Sequence, residues 1–476
     1  MPLILPGNVG SATAATGFNV ANSARFDNAG DDSLTRSKGS ETSLRKGTLS
    51  FWIKRAEAVG TAMWIYSNET TSSSNRAYIE VDANENFRVI SSEGADTQIL
   101  LVTDAEFRDF SAWTNFVVSV DTTQGTAANR VKIYINGVLE TSFSTSTYPG
   151  QNADLILFKG GQTNKEHIGK LNGESPKLSA YLSEFVFVDG LQLAADQFGE
   201  FDSDSGIWRP IDVSGLTFGN EGFYLNFQTS AELGDDVSGN TNDFSETNLI
   251  ATNQSTDTCT NNSATIGNLF MGLNTPTFSE GNLQSYSNAT GISPIPSSMG
   301  LASGKWYVEL KYAATTSNDN TGIGITMDLA SGNQANSDQG GYVFSYAAAN
   351  GNYFPYQGDP SGSGATYTVG DIMGIYMDLD NMKLYFSKNG TLNSSTGLTI
   401  NVSNTGFYYF CVADFTGSSN YWTWQWNFGA GCPFAISTGN TDDNGYGNFE
   451  YSPNITGDSA AKKFYSCNTK NLAEFG

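Results

Sequence analysis

Short runs in which apolar and polar residues alternate recur along almost the whole chain. Between Gly47 and Arg55, Leu49, Phe51 and Ile53 share one face. A period of two is the mark of a strand with one buried side. Further strand-like runs follow at 63–66, 77–81, 87–90, 113–120, 130–137, 155–158 and 178–188. The run at 130–137 ends in Asn136-Gly137, a pair that supplies the positive φ of a tight hairpin turn. Spacing alone predicts an all-β sandwich for this half. In the second half, Ile372, Gly374, Tyr376 and Asp378 interleave with Met373, Ile375, Met377 and Leu379. The turn falls at 379–381, the second strand at 382–386, and another tight turn at Asn389-Gly390. A hairpin apolar on both faces belongs in the middle of a sandwich rather than at its edge. No solenoid-type period runs along the chain.

Composition sharpens this picture. The 476 residues suffice for two to four domains, only 15% are charged, and the net charge is −24. Abundant Gly, Ser, Thr, Asn, Phe and Tyr suit short strands and polar turns. The acidity argues against nucleic acid and against an anionic membrane surface as partners. No apolar run reaches membrane-spanning length, so membrane insertion is not expected. The start Met1-Pro2-Leu3-Ile4-Leu5-Pro6 lacks the basic beginning and full apolar core of a signal peptide. Cys259, Cys411, Cys432 and Cys467 are few and spread out, and read as reduced thiols.

Two families are resembled. The pattern from Gly370-Asp371 to Lys388-Asn389-Gly390 is similar to the signature hairpin of SPRY domains. Residues 304–309, 322–325 and 341–346, then Asn427-Phe428-Gly429 with Pro433-Phe434, resemble other SPRY segments in the right order. Residues 48–55, 113–121 and 130–140 resemble concanavalin-A-like, LamG-type domains. More narrowly, 23–27, 34–36, 183–193, 198–200, 208–210 and 222–227 resemble virion proteins of tailed bacteriophages, as do 235–244, 259–265, 444–451 and 467–472. Together these predict an all-β chain of two antiparallel β-sandwiches. The expected plan is an N-terminal arm (1–22), a LamG-type sandwich (23–227), a Gly/Asn-rich connector (228–290), a SPRY-like sandwich (291–436), and a C-terminal extension (437–476) packed on the second sandwich.

Three kinds of site chemistry come into question. Glu80, Asp82 and Glu85 have the spacing of the carboxylates of retaining glucanases on the concanavalin-A-like fold, if a one-residue bulge aligns them. The competing reading makes Asp82-Ala83-Asn84-Glu85-Asn86 a turn between strands, and it is the reading adopted here. His167, the single histidine, lies in a Gly/Lys/Asn-rich loop, so a His-based zinc site is excluded by count. Asp235, Asp236, Asn240 and Asp243 are oxygen-rich enough to raise calcium, although an Asx-turn explains them more simply. Sugars bind by stacking on exposed rings. The candidates for glycan binding are Trp64, Tyr78, Tyr353, Tyr356, Tyr421 and Trp422; Tyr66 also lies near a strand end, and Trp422, Trp424 and Trp426 share one face.

The resemblance implies a non-enzymatic structural protein of a tailed-phage virion, a tail fibre or similar appendage binding host-surface glycans. Its partners would be other virion proteins and further copies of itself. Tail fibres are commonly trimeric, but no heptad pattern here enforces a trimer. A head-decorating or collar protein without a receptor role is the alternative, and a glucanase-like depolymerase a third. No cofactor is required beyond the calcium just raised.

Overall fold

The alternating runs become sheets, and their apolar faces meet in pairs. The computed structural model describes residues 17–56, 62–69, 74–161, 165–171, 174, 178–267, 276–287, 294–316, 321–327, 343–348, 350–355, 362–400, 406–414, 421–456 and 462–476. The chain divides between Thr260 and Asn261 into two units. Both are built largely of antiparallel sheets, and the one α-helix among the described residues is Thr469–Phe475. The all-β expectation is met.

In the first unit, one sheet runs in the order Val138–Leu139, Val131–Ile135, Thr114–Asp121, Lys46–Arg55, Ala180–Asp189, Ser23–Phe26, Gln254–Ser255. The other runs Phe143–Thr147, Asp96–Glu106, Asn86–Glu93, Arg76–Val81, Met63–Glu69, Lys165–Ile168, Ser33–Ser37, Ser245–Thr247. Leu49, Phe51 and Ile53 face the core between the sheets, where Phe51 stacks on Phe185 at 5.0 Å. The opposite face of the first sheet is buried too: Trp52, Val117 and Val186 pack against Phe198, Trp208 and Phe218. Segment 195–218 therefore covers that sheet. Asn136 (φ 46°) and Gly137 (φ 79°) form the expected tight turn, and a Cβ on Gly137 would collide with the Trp208 ring.

A cluster of charges sits inside this sandwich. The Glu166 carboxylate accepts hydrogen bonds from the Arg36 guanidinium and the Tyr66 hydroxyl, and lies 3.5 Å from Lys38 Nζ. Burial pushes the Glu166 carboxyl up, but Arg36 and Lys38 outweigh it and hold it below the usual range. Arg36 also packs over Phe223 and Phe244, 5.3 and 5.2 Å from their ring centres.

The stretch 228–290, expected as a connector, is shared between the units instead. Ser245–Thr247 pairs with Ser33–Ser37, Gln254–Ser255 pairs with Ser23–Phe26, and Phe244 and Leu249 enter the first core. Thr277–Ser279 and Gln284–Ser287 belong to a sheet of the second unit. The polar composition misled because edge strands need mainly backbone hydrogen bonds, with only an occasional apolar anchor. Residues 17–22 of the expected arm lie along the first unit, where the Val20 N–H donates to Thr260 Oγ1 at 3.1 Å.

In the second unit, Trp422–Asn427, Lys305–Thr315, Ile372–Asp378 and Lys383–Lys388 are consecutive strands of one sheet. The facing sheet is ordered Pro294–Pro296, Tyr409–Asp414, Thr321–Thr326, Val343–Ala347, Tyr353–Phe354. The central hairpin differs from expectation at both ends of its second strand: Met382 adopts φ 51° and stays in the turn, and the strand runs Lys383–Lys388 instead of ending at Phe386. The outer face of the larger sheet is covered by the C-terminal segment, with Phe449, Ile455 and Phe464 on Tyr307, Tyr376 and Tyr385. Glu309 fastens it. This buried carboxylate accepts the N–H groups of Glu450 (2.9 Å) and Tyr451 (2.6 Å), the Asn427 amide and the Tyr307 hydroxyl. Burial nevertheless pushes its carboxyl up to about 7 against these donors.

Two stability tests follow from these carboxylates. Glu166→Ala removes the carboxylate between Arg36 and Lys38, leaving Arg36 only Glu221 at 3.5 Å, and should cost about 3–5 kcal/mol in urea unfolding. The raised Glu309 contributes stability that is full below its ordinary carboxylate value near 4.5 and is lost as pH rises through about 7. Unfolding of the second unit should thus become easier between pH 5 and 8, and Glu309→Gln should flatten that dependence.

Candidate functional site

Segment 195–218 closes the outer face of the first sheet; on the outer face of the second sheet Trp64, Ser67, Glu69, Glu80 and His167 are buried too, while Arg76 and Tyr78 are half-buried. Alternation decides what stands there. In Arg76–Val81, Ala77, Ile79 and Val81 enter the core while Arg76, Tyr78 and Glu80 point the other way. Registers with the flanking strands bring Trp64 opposite Glu80, Ser67 opposite Tyr78, and His167 opposite Ser67. Arg88 lies opposite Glu80 on the far side.

The face is a polar, partly aromatic floor. Glu80 is buried and accepts from the Trp64 indole and from Arg88 Nη1, 2.8 Å away. Burial raises its carboxyl, opposed mainly by Arg88. His167 is buried as well; its Nδ1 lies 2.8 Å from Thr35 Oγ1, and its Nε2 makes no hydrogen bond. Burial lowers His167 to about 4, so the ring is neutral near pH 7. It sits in the strand Lys165–Ile168, not in the loop expected for it. Tyr78 is half-buried, with the Arg76 guanidinium 5.4 Å from its ring centre.

The other expected site residues are placed differently. Stacking needs a free ring face. Trp422, 1% exposed, is core, as are Trp424 and Trp426, and Tyr353 at 7% packs between Tyr346 and Phe386. Trp64 at 8% serves as the partner of Glu80, and Tyr66 is fully buried beside Glu166. Trp64, Tyr353 and Trp422 do stand at or next to strand ends, but packing against neighbouring side chains buries them. Tyr421, at 37%, keeps an open side and lies 5.8 Å from Tyr286 in the second unit. Tyr356 lies outside the described residues. Sequence reasoning missed Arg76; its spacing of two from Tyr78 on a single strand was the available signal.

No glucanase pair is assembled. Residues 82–85 are a turn closed by the Asp82 N–H donating to the Asn86 carbonyl at 2.9 Å, with Glu85 at φ 68°. The pairing of Arg76–Val81 with Asn86–Glu93 is continuous, so no bulge realigns the two carboxylates. Glu85 pairs with Arg55, and Glu80 with Arg88. The acidic loop is likewise turn-like. Asp236 accepts the N–H groups of Tyr224, Ser238 and Asn242, each at 2.9 Å, and Asp243 accepts that of Asp236. Asp235 accepts the Thr229 hydroxyl, and the Asn240 amide donates to the Gly219 and Gly222 carbonyls. Among the described residues, no group of three or more His, Cys, Asp or Glu is arranged to hold a metal ion. The four cysteines are unpaired with one another. Among the described residues no helix is long and apolar enough to cross a membrane.

Removing each ring should separate floor from platform. Trp64→Ala should destabilise the first unit by about 3–5 kcal/mol, as for a buried Trp. Tyr78→Ala should change its thermal unfolding by less than about 1 kcal/mol.

Comparisons with known proteins agree with this architecture. Residues 28–192 match the family model of the concanavalin A-like lectin/glucanases superfamily, and residues 305–422 match that of the SPRY domain. No curated protein matches the chain. Among solved structures, the SPRY domain of human HERC1 is similar at 15% identity over 32% of this chain and 91% of that one, with a TM-score of 0.26. A heptameric SAP-like pentraxin from Limulus polyphemus is similar at 13% identity over 38% and 82%, with a TM-score of 0.26. A human SPRY domain is similar at 14% identity over 30% and 90%, with a TM-score of 0.23. The chain thus carries a concanavalin A-like domain followed by a SPRY domain, two kinds of β-sandwich that commonly bind without catalysing.

Proposed function

We propose that this is a structural and binding protein of a tailed-phage particle, a component of a tail fibre or similar appendage, that holds host-surface glycans and transforms none of them. The observation that carries the binding role is the outer face around Tyr78: a fixed, half-buried ring on a rigid polar sheet, in a unit whose other sheet is covered on both sides. Each site is small, so binding relies on many copies acting together in the assembled particle, alongside other virion proteins. The phage assignment rests on the sequence resemblances at 183–193, 235–244 and 467–472. The absence of catalysis is supported by Glu80 and Glu85, each engaged by a different arginine.

The test is binding of the purified chain to a glycan array and to whole cells, with Tyr78→Ala alongside. Tyr78→Ala should weaken saccharide binding at least about tenfold, the scale of a lost stacking contact. Unchanged binding would move the site elsewhere. Release of reducing sugar by the wild-type chain, abolished in Glu80→Gln, would replace this reading with an enzymatic one.

A further inference from the structure

Arg76 is unlike the other arginines around it. Arg36, Arg55, Arg88 and Arg209 are each ion-paired with a carboxylate. Arg76 has neither an ion pair nor a hydrogen bond from its side chain among the described residues, and its contact is the ring of Tyr78. Its register partner Glu69 turns away, its Oε1 lying 3.5 Å from Ser67 Oγ and 3.8 Å from His167 Nε2. The nearby Glu80 is already engaged by Arg88 and Trp64. Lys165 stands exposed in the same row, two strands away, with its Nζ on Ser37 Oγ at 2.6 Å. His167 Nε2, buried and without a hydrogen bond, lies under the same face. A chain of net charge −24 thus holds, beside the half-buried ring of Tyr78, a guanidinium without an ion pair among the described residues, while Glu80 is paired with Arg88.

We infer that the face around Arg76 and Tyr78 selects acidic saccharides, with the Arg76 guanidinium receiving the sugar carboxylate and Tyr78 the apolar side of the ring. A guanidinium presents two parallel N–H donors that match a carboxylate, which an ammonium cannot do. The guanidinium already lies 5.4 Å from the Tyr78 ring centre before a ligand arrives, which limits the side-chain freedom lost on binding. This rests on the reading of the face as a glycan site and adds the class of sugar.

The experiment uses the full chain in calorimetric titration with a hexasaccharide alternating glucuronate and a neutral hexose, and with the same hexasaccharide after carboxyl reduction. The acidic form should bind at least about tenfold more tightly. Arg76→Ala should erase the difference, Arg76→Lys should restore only part of it, and Tyr78→Ala should weaken both forms. Equal binding of the two forms, or a preference that survives in Arg76→Ala, overturns the acidic selectivity and leaves the glycan reading standing. Binding of neither form, with no saccharide retained on a wider array, overturns both. Matching thermal unfolding of the variants confirms that each comparison is made on folded protein.

Discussion

A carboxylate deprived of water fixes the geometry of the first unit. Glu166 sits in the middle of the short strand Lys165–Ile168, which has the strands Met63–Glu69 and Ser33–Ser37 on its two sides. An ionised group there is tolerable only while Arg36 and Lys38 answer it. A slip of one residue would send the charge to the outer face and His167 into the core. The cluster therefore sets register across three strands, and through it the neighbours that Ser67 and Tyr78 find on the other side of the sheet. The arrangement of the outer face follows from an interaction inside the protein.

The second unit solves a similar problem in another way. Glu309 also lies buried, but among the described residues no cation pairs with it; backbone N–H groups of residues 450 and 451 meet it. The bond is thereby made to a segment distant in sequence, and the C-terminal stretch becomes the lid of the larger sheet. Tyr307, Tyr376 and Tyr385 would otherwise stand as an exposed aromatic surface. Their hydroxyl-bearing rings belong to a layered interior rather than to a docking surface.

Much of the fold was legible in the sequence because period-two patterning and Asn-Gly turns are local signals. Asn136-Gly137 and Asn389-Gly390 adopt the positive φ angles their chemistry favours. The turn at Asp82 was legible for the same reason, since its carboxylate captures the N–H groups of Asn84 and Asn86. The strands at 245–247 and 254–255 were not, because a polar edge strand carries no side-chain pattern of its own. Ring exposure was the least legible property. Whether Trp422 or Tyr353 meets solvent depends on the opposite sheet, which sequence spacing does not describe. Arg76 was overlooked for a related reason: its distinction lies in the partners it lacks, and these are known only once neighbouring strands are in register.

The simple alternation of Arg76–Val81 has an evolutionary corollary. Its inward residues keep the sandwich folded, while of its outward residues only Arg76 and Tyr78 are partly exposed and Glu80 is buried against Trp64 and Arg88. Exchange at positions 76 and 78 can change the exposed surface without disturbing the packing beneath. One strand thus separates positions free to vary from positions that foldability holds fixed, and a lineage could alter that surface at little structural risk.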